Sequence, residues 1–324
     1  MDPHILFACH LSGPDQGRPI DTDAGIARAL EDEAPAWLHL SAADPASDAW
    51  IDRHMTYLEE PVRDALTEPL TRPRAMRIGE GLLVNLRGIN LNPGDDPEDM
   101  VSVRLWIDPH RIVSLSRRPL ASLRAMEARI AAGQGPDRAG GFLAALVEEL
   151  TDRIETQVAD LEDRAEALEA QVVSAPRPDL GSLLSEQRLE LIGLRRFLSP
   201  QRDAVQAILR AGPDWLTDAD RRLIAEQHDQ LSRVIETLDA LRDQFQTMRD
   251  ELDSVRSDRI NRNLYILSIF SAVFLPLGFL TGLMGINLGG MPGAAWSSGF
   301  WVFSAILAAV GVAVLAIMRR LRLF

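Results

Sequence analysis

Leu264 to Met284 reads LYILSIFSAVFLPLGFLTGLM, without one charged residue. As a helix this stretch runs roughly 31 Å, the hydrocarbon thickness of a bilayer. Phe300 to Met318, FWVFSAILAAVGVAVLAIM, is a second uncharged run of similar reach. Between them lies GINLGGMPGAAWSSG, Gly285 to Gly299, too rich in glycine to continue a helix. The competing reading, two buried helices of a soluble protein, fits poorly with charge-free runs of this length. Arg256, Arg259 and Arg262 precede the first run, Arg319, Arg320 and Arg322 follow the second, and the connecting loop holds no basic residue. The positive-inside rule then puts both termini in the cytoplasm and the short loop outside.

Upstream of the first span, Ile224, Leu231, Leu238, Phe245 and Leu252 recur every seven residues, with Val234, Leu241, Met248 and Val255 offset by three. That is an a/d seam, the mark of a helix packed lengthwise on others. Thr217 is its expected N-cap, with Asp218 and Asp220 in the first turn. Neither proline nor glycine interrupts Asp218 to Leu275, so one helix of about 100 Å is expected to pass from stalk into membrane. Two further helices precede it: Phe142 to Val173, and Leu180 to Leu209 with a kink or break around Pro200. Together the three predict an antiparallel bundle.

Residues 1 to about 135 show period-two runs. Val101, Val103, Leu105 and Ile107 interleave with Ser102, Arg104 and Trp106. Asp108-Pro109-His110 supplies a turn, and Arg111 to Ser116 a return strand. Leu82 to Leu86 and Trp37 to Leu40 are further strands; Asp48 to Leu58 and Leu120 to Ala132 are helices. The chain is thus predicted to hold an α+β cytoplasmic domain with a mixed or antiparallel sheet (1–140), a long-helix bundle and stalk (141–263), and a two-helix transmembrane hairpin with a basic tail (264–324). Within the hairpin the first span is 264–284, the outer loop 285–299 and the second span 300–318.

The 324 residues carry 34 basic and 47 acidic side chains, a formal net charge of −13, and every basic residue is arginine. This balance is wrong for a nucleic-acid binder. An acidic surface raises the local cation concentration, although ordinary solubility explains it equally well. The single cysteine, Cys9, excludes a disulfide framework and a multi-thiolate zinc site within one chain. No secretory signal opens the chain, so a cytoplasmic N-terminus is expected. His4, Cys9 and His10 are candidate metal ligands by proximity alone; their spacing matches no ligand pattern, and chain termini are often disordered. His39, His54, His110 and His228 are scattered and read as structural or solvent-facing. No phosphate loop, nucleotide fingerprint or nucleophile–histidine–acid set is present, so no enzyme is expected.

Function shows at the end of the first span. Ser271, Leu275, Gly278, Gly282 and Gly285 recur at three or four residues and form a mostly small face. Gly278-Phe-Leu-Thr-Gly282 is a GxxxG pattern, so close helix packing accounts for it as readily as a pore lining does. If the face lines a pore, Asn287 places an uncharged amide oxygen at its outer mouth, suited to bonding a cation's water shell without stripping it.

Tyr265 to Gly293, YILSIFSAVFLPLGFLTGLMGINLGGMPG, resembles the pore helix and Gly-x-Asn loop of CorA-type divalent-metal transporters, and most of all their zinc branch, ZntB. The soluble half is similar too, through Arg72-Pro73-Arg74, GLLVNLRGINLNPG (Gly81 to Gly94) and DPEDMVSVRLWID (Asp96 to Asp108). The resemblance covers essentially the whole chain. It implies a bacterial inner-membrane homopentamer, with a cytoplasmic funnel, five first spans around the pore and five second spans outside them. By motif position, Gly285, Ile286 and Asn287 form the selectivity loop. The pore-lining set is Gly282, Gly278, Leu275, Ser271, Leu267 and Leu264, with Asn261 near the inner mouth. Gly88-Ile89-Asn90, far from either span, has no pore role. Where magnesium-type members place an acid after Met-Pro, Gly293 follows Met291-Pro292, which favours zinc. The resemblance implies zinc or another divalent cation as cargo, no cofactor, and transport linked to protons. Leu264 to Met318 holds no Asp, Glu, His, Lys or Arg, so no intramembrane carboxylate relay exists. Two rival readings remain: a magnesium or cobalt channel of the same family, and a membrane-anchored coiled-coil scaffold or sensor.

Overall fold

A computed structural model describes residues 2–68, 72–175, 177, 179–286 and 296–320. The chain divides into two compact units, Met1–Arg249 and Asp250–Phe324.

The first unit opens with β1 (Ile5–His10), α1 (Asp23–Glu31), β2 (Ala36–Ser41), α2 (Ala46–His54) and α3 (Glu60–Thr67). Then come β3 (Arg74–Ile78), β4 (Gly81–Gly88), β5 (Val101–Ile107), β6 (Arg111–Ser116) and α4 (Ala121–Ala131). The strands form one mixed sheet in the order β1-β2-β6-β5-β4-β3. Only β2 and β6 run parallel; every other pair is antiparallel. One face, carrying Leu38, Leu40, Leu83, Trp106, Val113 and Leu115, packs with α1 to α3 into an apolar core. On the other face Trp37 meets Phe142 edge to face, with ring centroids 4.6 Å apart.

β1 is a finding the sequence left unread: Cys9 and His10 lie in a strand antiparallel to β2, with His4 in the turn just before it. β3, RAMRI, is an edge strand whose arginines face solvent, so its apolar alternation is faint. β3 pairs only with Gly81–Asn85 of β4, which leaves the far end of β4 open on that side. The Gln201 side chain fills the gap as a surrogate strand. Its Oε1 accepts from the Arg87 N–H at 2.7 Å and its Nε2 donates to the Arg87 carbonyl at 2.9 Å.

Three long helices follow: α5 (Ala139–Ser174), α6 (Leu180–Ala211) and α7 (Asp218–Met284). α6 is assigned as one helix with Pro200 inside it, where a kink or break was expected. Thr217 caps α7 as anticipated. Its Oγ1 accepts from the Asp220 N–H, and the Asp220 carboxylate accepts from the Thr217 N–H at 3.0 Å. Arg138 pairs bidentately with the same carboxylate, which stays below the usual range because these donors outweigh its burial. The heptad seam is buried from Ile224 through Met248. Leu252 and Val255 are only half-buried, so burial of the seam fades just where the first unit ends. Several polar side chains of the bundle pair: Glu190 accepts from Arg164 at 2.8 Å and from Gln157 at 2.9 Å, and Arg195 forks onto Asp239.

The second unit consists of the remainder of α7 and α8 (Gly299–Arg320). Both helices are long and apolar enough to cross a membrane.

Candidate functional site

In the second unit, α7 carries a proline at 276 and a row of hydroxyl residues, each tied to its own backbone. Ser268 donates to the Leu264 carbonyl at 2.8 Å, Ser271 to Leu267 at 2.9 Å and Thr281 to Leu277 at 3.0 Å. These bonds occupy each hydroxyl proton, as a helix in an apolar medium requires. The oxygen lone pairs stay free, so the exposed Ser271 presents an acceptor and no donor.

Ile269, Val273, Pro276, Leu277 and Leu280 are half-buried, while Leu264, Leu267, Ser271, Leu275, Gly278 and Gly282 are exposed. Facing the first set on α8 are Phe303, Leu307, Val310, Gly311 and Val314, themselves half-buried. A Cβ on Gly311 would stand 3.8 Å from Leu277 Cδ1. At roughly 100° per residue, the expected pore face and the face turned to α8 lie about 180° apart around α7. Leu275 is 72% exposed, and a Cβ on Gly278 or Gly282 would meet nothing within 4 Å. Asn261 is exposed on the same helix. α7 ends at Met284, where the Gly285 N–H closes onto the Thr281 carbonyl at 2.9 Å and the Gly282 carbonyl at 3.1 Å. Ile286 is exposed. Asn287, and with it Met291, Pro292 and Gly293, lies outside the described residues.

Sequence reasoning missed the groove beside this face. A cavity of about 570 Å³ runs between α7 and α8, lined by Phe274, Leu277, Gly278 and Thr281 and by Leu307, Gly311 and Leu315 among others. Gly278 therefore borders both the groove and the exposed face. The small residues on α8 that open the groove, Ala308 and Gly311, were the available signal.

The first unit concentrates the acidic charge, since residues 250–324 hold only four acids against six arginines. Among the described residues, no group of three His, Cys, Asp or Glu side chains is placed to hold a metal ion. Cys9 is buried, and that burial, with Glu127 adding repulsion, pushes its thiol up to about 12. A thiol so protonated is a poor metal ligand at neutral pH. His4 is buried and His10 half-buried. His39 is sealed in the core, with Nδ1 on Ser114 Oγ at 2.9 Å and Nε2 on Ser116 Oγ at 3.2 Å. Burial lowers its pKa to about 4.

Residues 32–320 match the family model described as CorA-like Mg2+ transporter protein. The chain is 36% identical over 321 residues to the divalent cation transporter CmaX of Pseudomonas aeruginosa, covering 98% of this chain and 96% of that one. It is 37% identical over 286 residues to the zinc transport protein ZntB of Pectobacterium carotovorum, covering 88% and 87%. The solved structure of full-length CmaX superposes with a TM-score of 0.83 at 34% identity and 99% coverage of both chains. Matched along nearly its whole length in sequence and in fold, the chain belongs to the CorA-like family of transporter proteins.

Proposed function

We propose that this protein conducts divalent cations, zinc foremost, across the bacterial inner membrane as a homopentamer, with both termini in the cytoplasm. One observation carries the reading: a charge-free helix with a small, hydroxyl-bearing face turned away from its hairpin partner and leading into Gly285-Ile286-Asn287. Five copies of Leu264, Leu267, Ser271, Leu275, Gly278 and Gly282 would line the conduit, with Asn261 near its inner mouth. At the outer mouth Asn287 supplies a ring of amide oxygens that bond the water shell of the ion. Zinc is favoured by the ZntB relatives and by Gly293 standing where magnesium-type members carry an acid. Magnesium or cobalt is the second reading, supported by the family's description as a Mg2+ transporter. Any proton linkage acts through pore water or through carboxylates of the cytoplasmic residues 1–263, because Leu264–Met318 contains no Asp, Glu, His, Lys or Arg.

Asn287→Ala in reconstituted protein tests the reading. Altered zinc flux or altered zinc-over-magnesium preference is expected. Unchanged flux and preference would point instead to a scaffold without transport.

A further inference from the structure

At the centre of the first unit, two side chains leave polar atoms without partners. Arg104 on β5 and Asn85 on β4 are both 0% exposed and stand directly opposite each other in the antiparallel ladder. Side chains so paired have Cβ atoms about 5 Å apart on one face of the sheet. Arg104 Nη1 reaches the Leu66 carbonyl at only 3.4 Å, longer than a good N–H···O bond. Arg104 Nε and Nη2, and both Nδ2 and Oδ1 of Asn85, have no hydrogen-bond partner among the described residues. Buried groups in this state are costly, and proteins rarely keep them empty-handed.

The four atoms specify a ligand. Nε and Nη2 form the side-on fork of the guanidinium, which takes two oxygens of a planar oxyanion. Asn85 adds one more donor, Nδ2, and one acceptor, Oδ1. Three donors and one acceptor call for an oxyanion that bears a single O–H. The surroundings favour negative charge as well. Arg117 and Arg87 act on Arg104 from nearby, and Arg74 lies opposite Asn85 on β3. The carboxylates in range, Asp48 and Glu68, make no hydrogen bond to Arg104, and Glu68 lies 3.9 Å from Arg74 instead.

We propose that Arg104 and Asn85 form a buried receptor for hydrogencarbonate. The guanidinium fork holds two of its oxygens, Asn85 Nδ2 donates to one of them, and the anion's O–H donates to Asn85 Oδ1. Bound anion neutralises the buried guanidinium and so stabilises the first unit.

The test is thermal unfolding of the full-length protein in detergent at pH 8 and constant ionic strength. Wild type is expected to gain Tm in proportion to the logarithm of hydrogencarbonate concentration above its dissociation constant. Formate, which lacks the O–H, is expected to raise Tm less. Arg104→Met should abolish both responses while keeping an equal or higher Tm in anion-free buffer, since it removes an unpaired buried charge. Asn85→Leu should retain a response but make the two anions equal. No hydrogencarbonate response in wild type, an equal response to formate, or an unchanged response in Arg104→Met would each overturn the proposal. Should Arg104→Met fail to fold, carbon-13 hydrogencarbonate added to wild type decides. A bound resonance at one per chain supports the site, and its absence removes it.

Discussion

Gly278→Leu separates a pore lining from a packing surface because the isolated chain offers it no obstacle. A Cβ at Gly278 meets nothing within 4 Å. Replacing an exposed helical glycine gains about 0.8 kcal/mol of helix propensity. The substitution therefore leaves the fold of one copy intact or slightly firmer. In a ring of five copies, five leucine side chains would narrow the conduit and replace surface that water can wet. If the passing ion loses even one water-mediated contact, worth about 1.5–3 kcal/mol for a charged partner, flux falls by roughly tenfold to a hundredfold. The assay is zinc uptake into liposomes holding wild type or variant, with oligomeric state checked by size-exclusion chromatography and light scattering. Gly311→Leu is the contrast. Its Cβ would stand in ordinary contact with Leu277 Cδ1 at 3.8 Å, beside the groove that Gly311 lines, so the larger side chain fills space between α7 and α8, away from the pore face, and leaves zinc flux near wild type. Intact Gly278→Leu oligomers with wild-type flux would refute the pore-face reasoning. Loss of the oligomer itself would assign Gly278 and Gly282 to helix packing.

Acid should destabilise the first unit through His39. Its pKa falls from 6.5 unfolded to about 4 folded, so the unfolded state binds the extra proton and stability drops as pH falls through that window, by roughly 3 kcal/mol in all. Urea midpoints at pH 7.5 and pH 4.5 should converge in His39→Gln, and an equal pH response in the variant would contradict this. Gln201→Leu strips the Arg87 backbone of both its surrogate partners and should cost about 1–3 kcal/mol in urea unfolding; no change would mean that water replaces the amide freely. Gly81→Ala drives a methyl to within 2.3 Å of the buried Trp106 ring and should cost about 1–3 kcal/mol, with a change in tryptophan fluorescence on the same sample. Cys9, buried and held protonated with a pKa of about 12, should react with maleimide at pH 7 only at the rate of unfolding.

Where periodicity was strong, the fold was legible. The heptads of α7 and the uncharged spans each reflect one face of an element meeting apolar surroundings, while the alternation in β5 and β6 marked the strands but not their burial, since both faces of each are covered. β1 and β3 were not legible. A cysteine and a histidine at its end obscured β1, and β3 is an edge strand whose arginines need no apolar partner. The helices α1 and α3 were missed as well, each only two turns or so, too short to establish a period. For the site, spacing alone picked out the small face of α7. The face turned to α8 was hidden because both faces of a membrane helix are apolar, and only the partner helix tells them apart. The unpartnered pair of Arg104 and Asn85 lies 19 positions apart in sequence and becomes one feature only through strand register.

The central claim is tested most directly by radioactive zinc flux into liposomes reconstituted with the wild-type oligomer, with magnesium, cobalt and a pH gradient varied. The account predicts zinc accumulation above protein-free vesicles, inhibited by competing divalent ions in an order that ranks zinc first. Vesicles that hold correctly assembled protein yet stay impermeable to zinc, magnesium and cobalt under every gradient would contradict it.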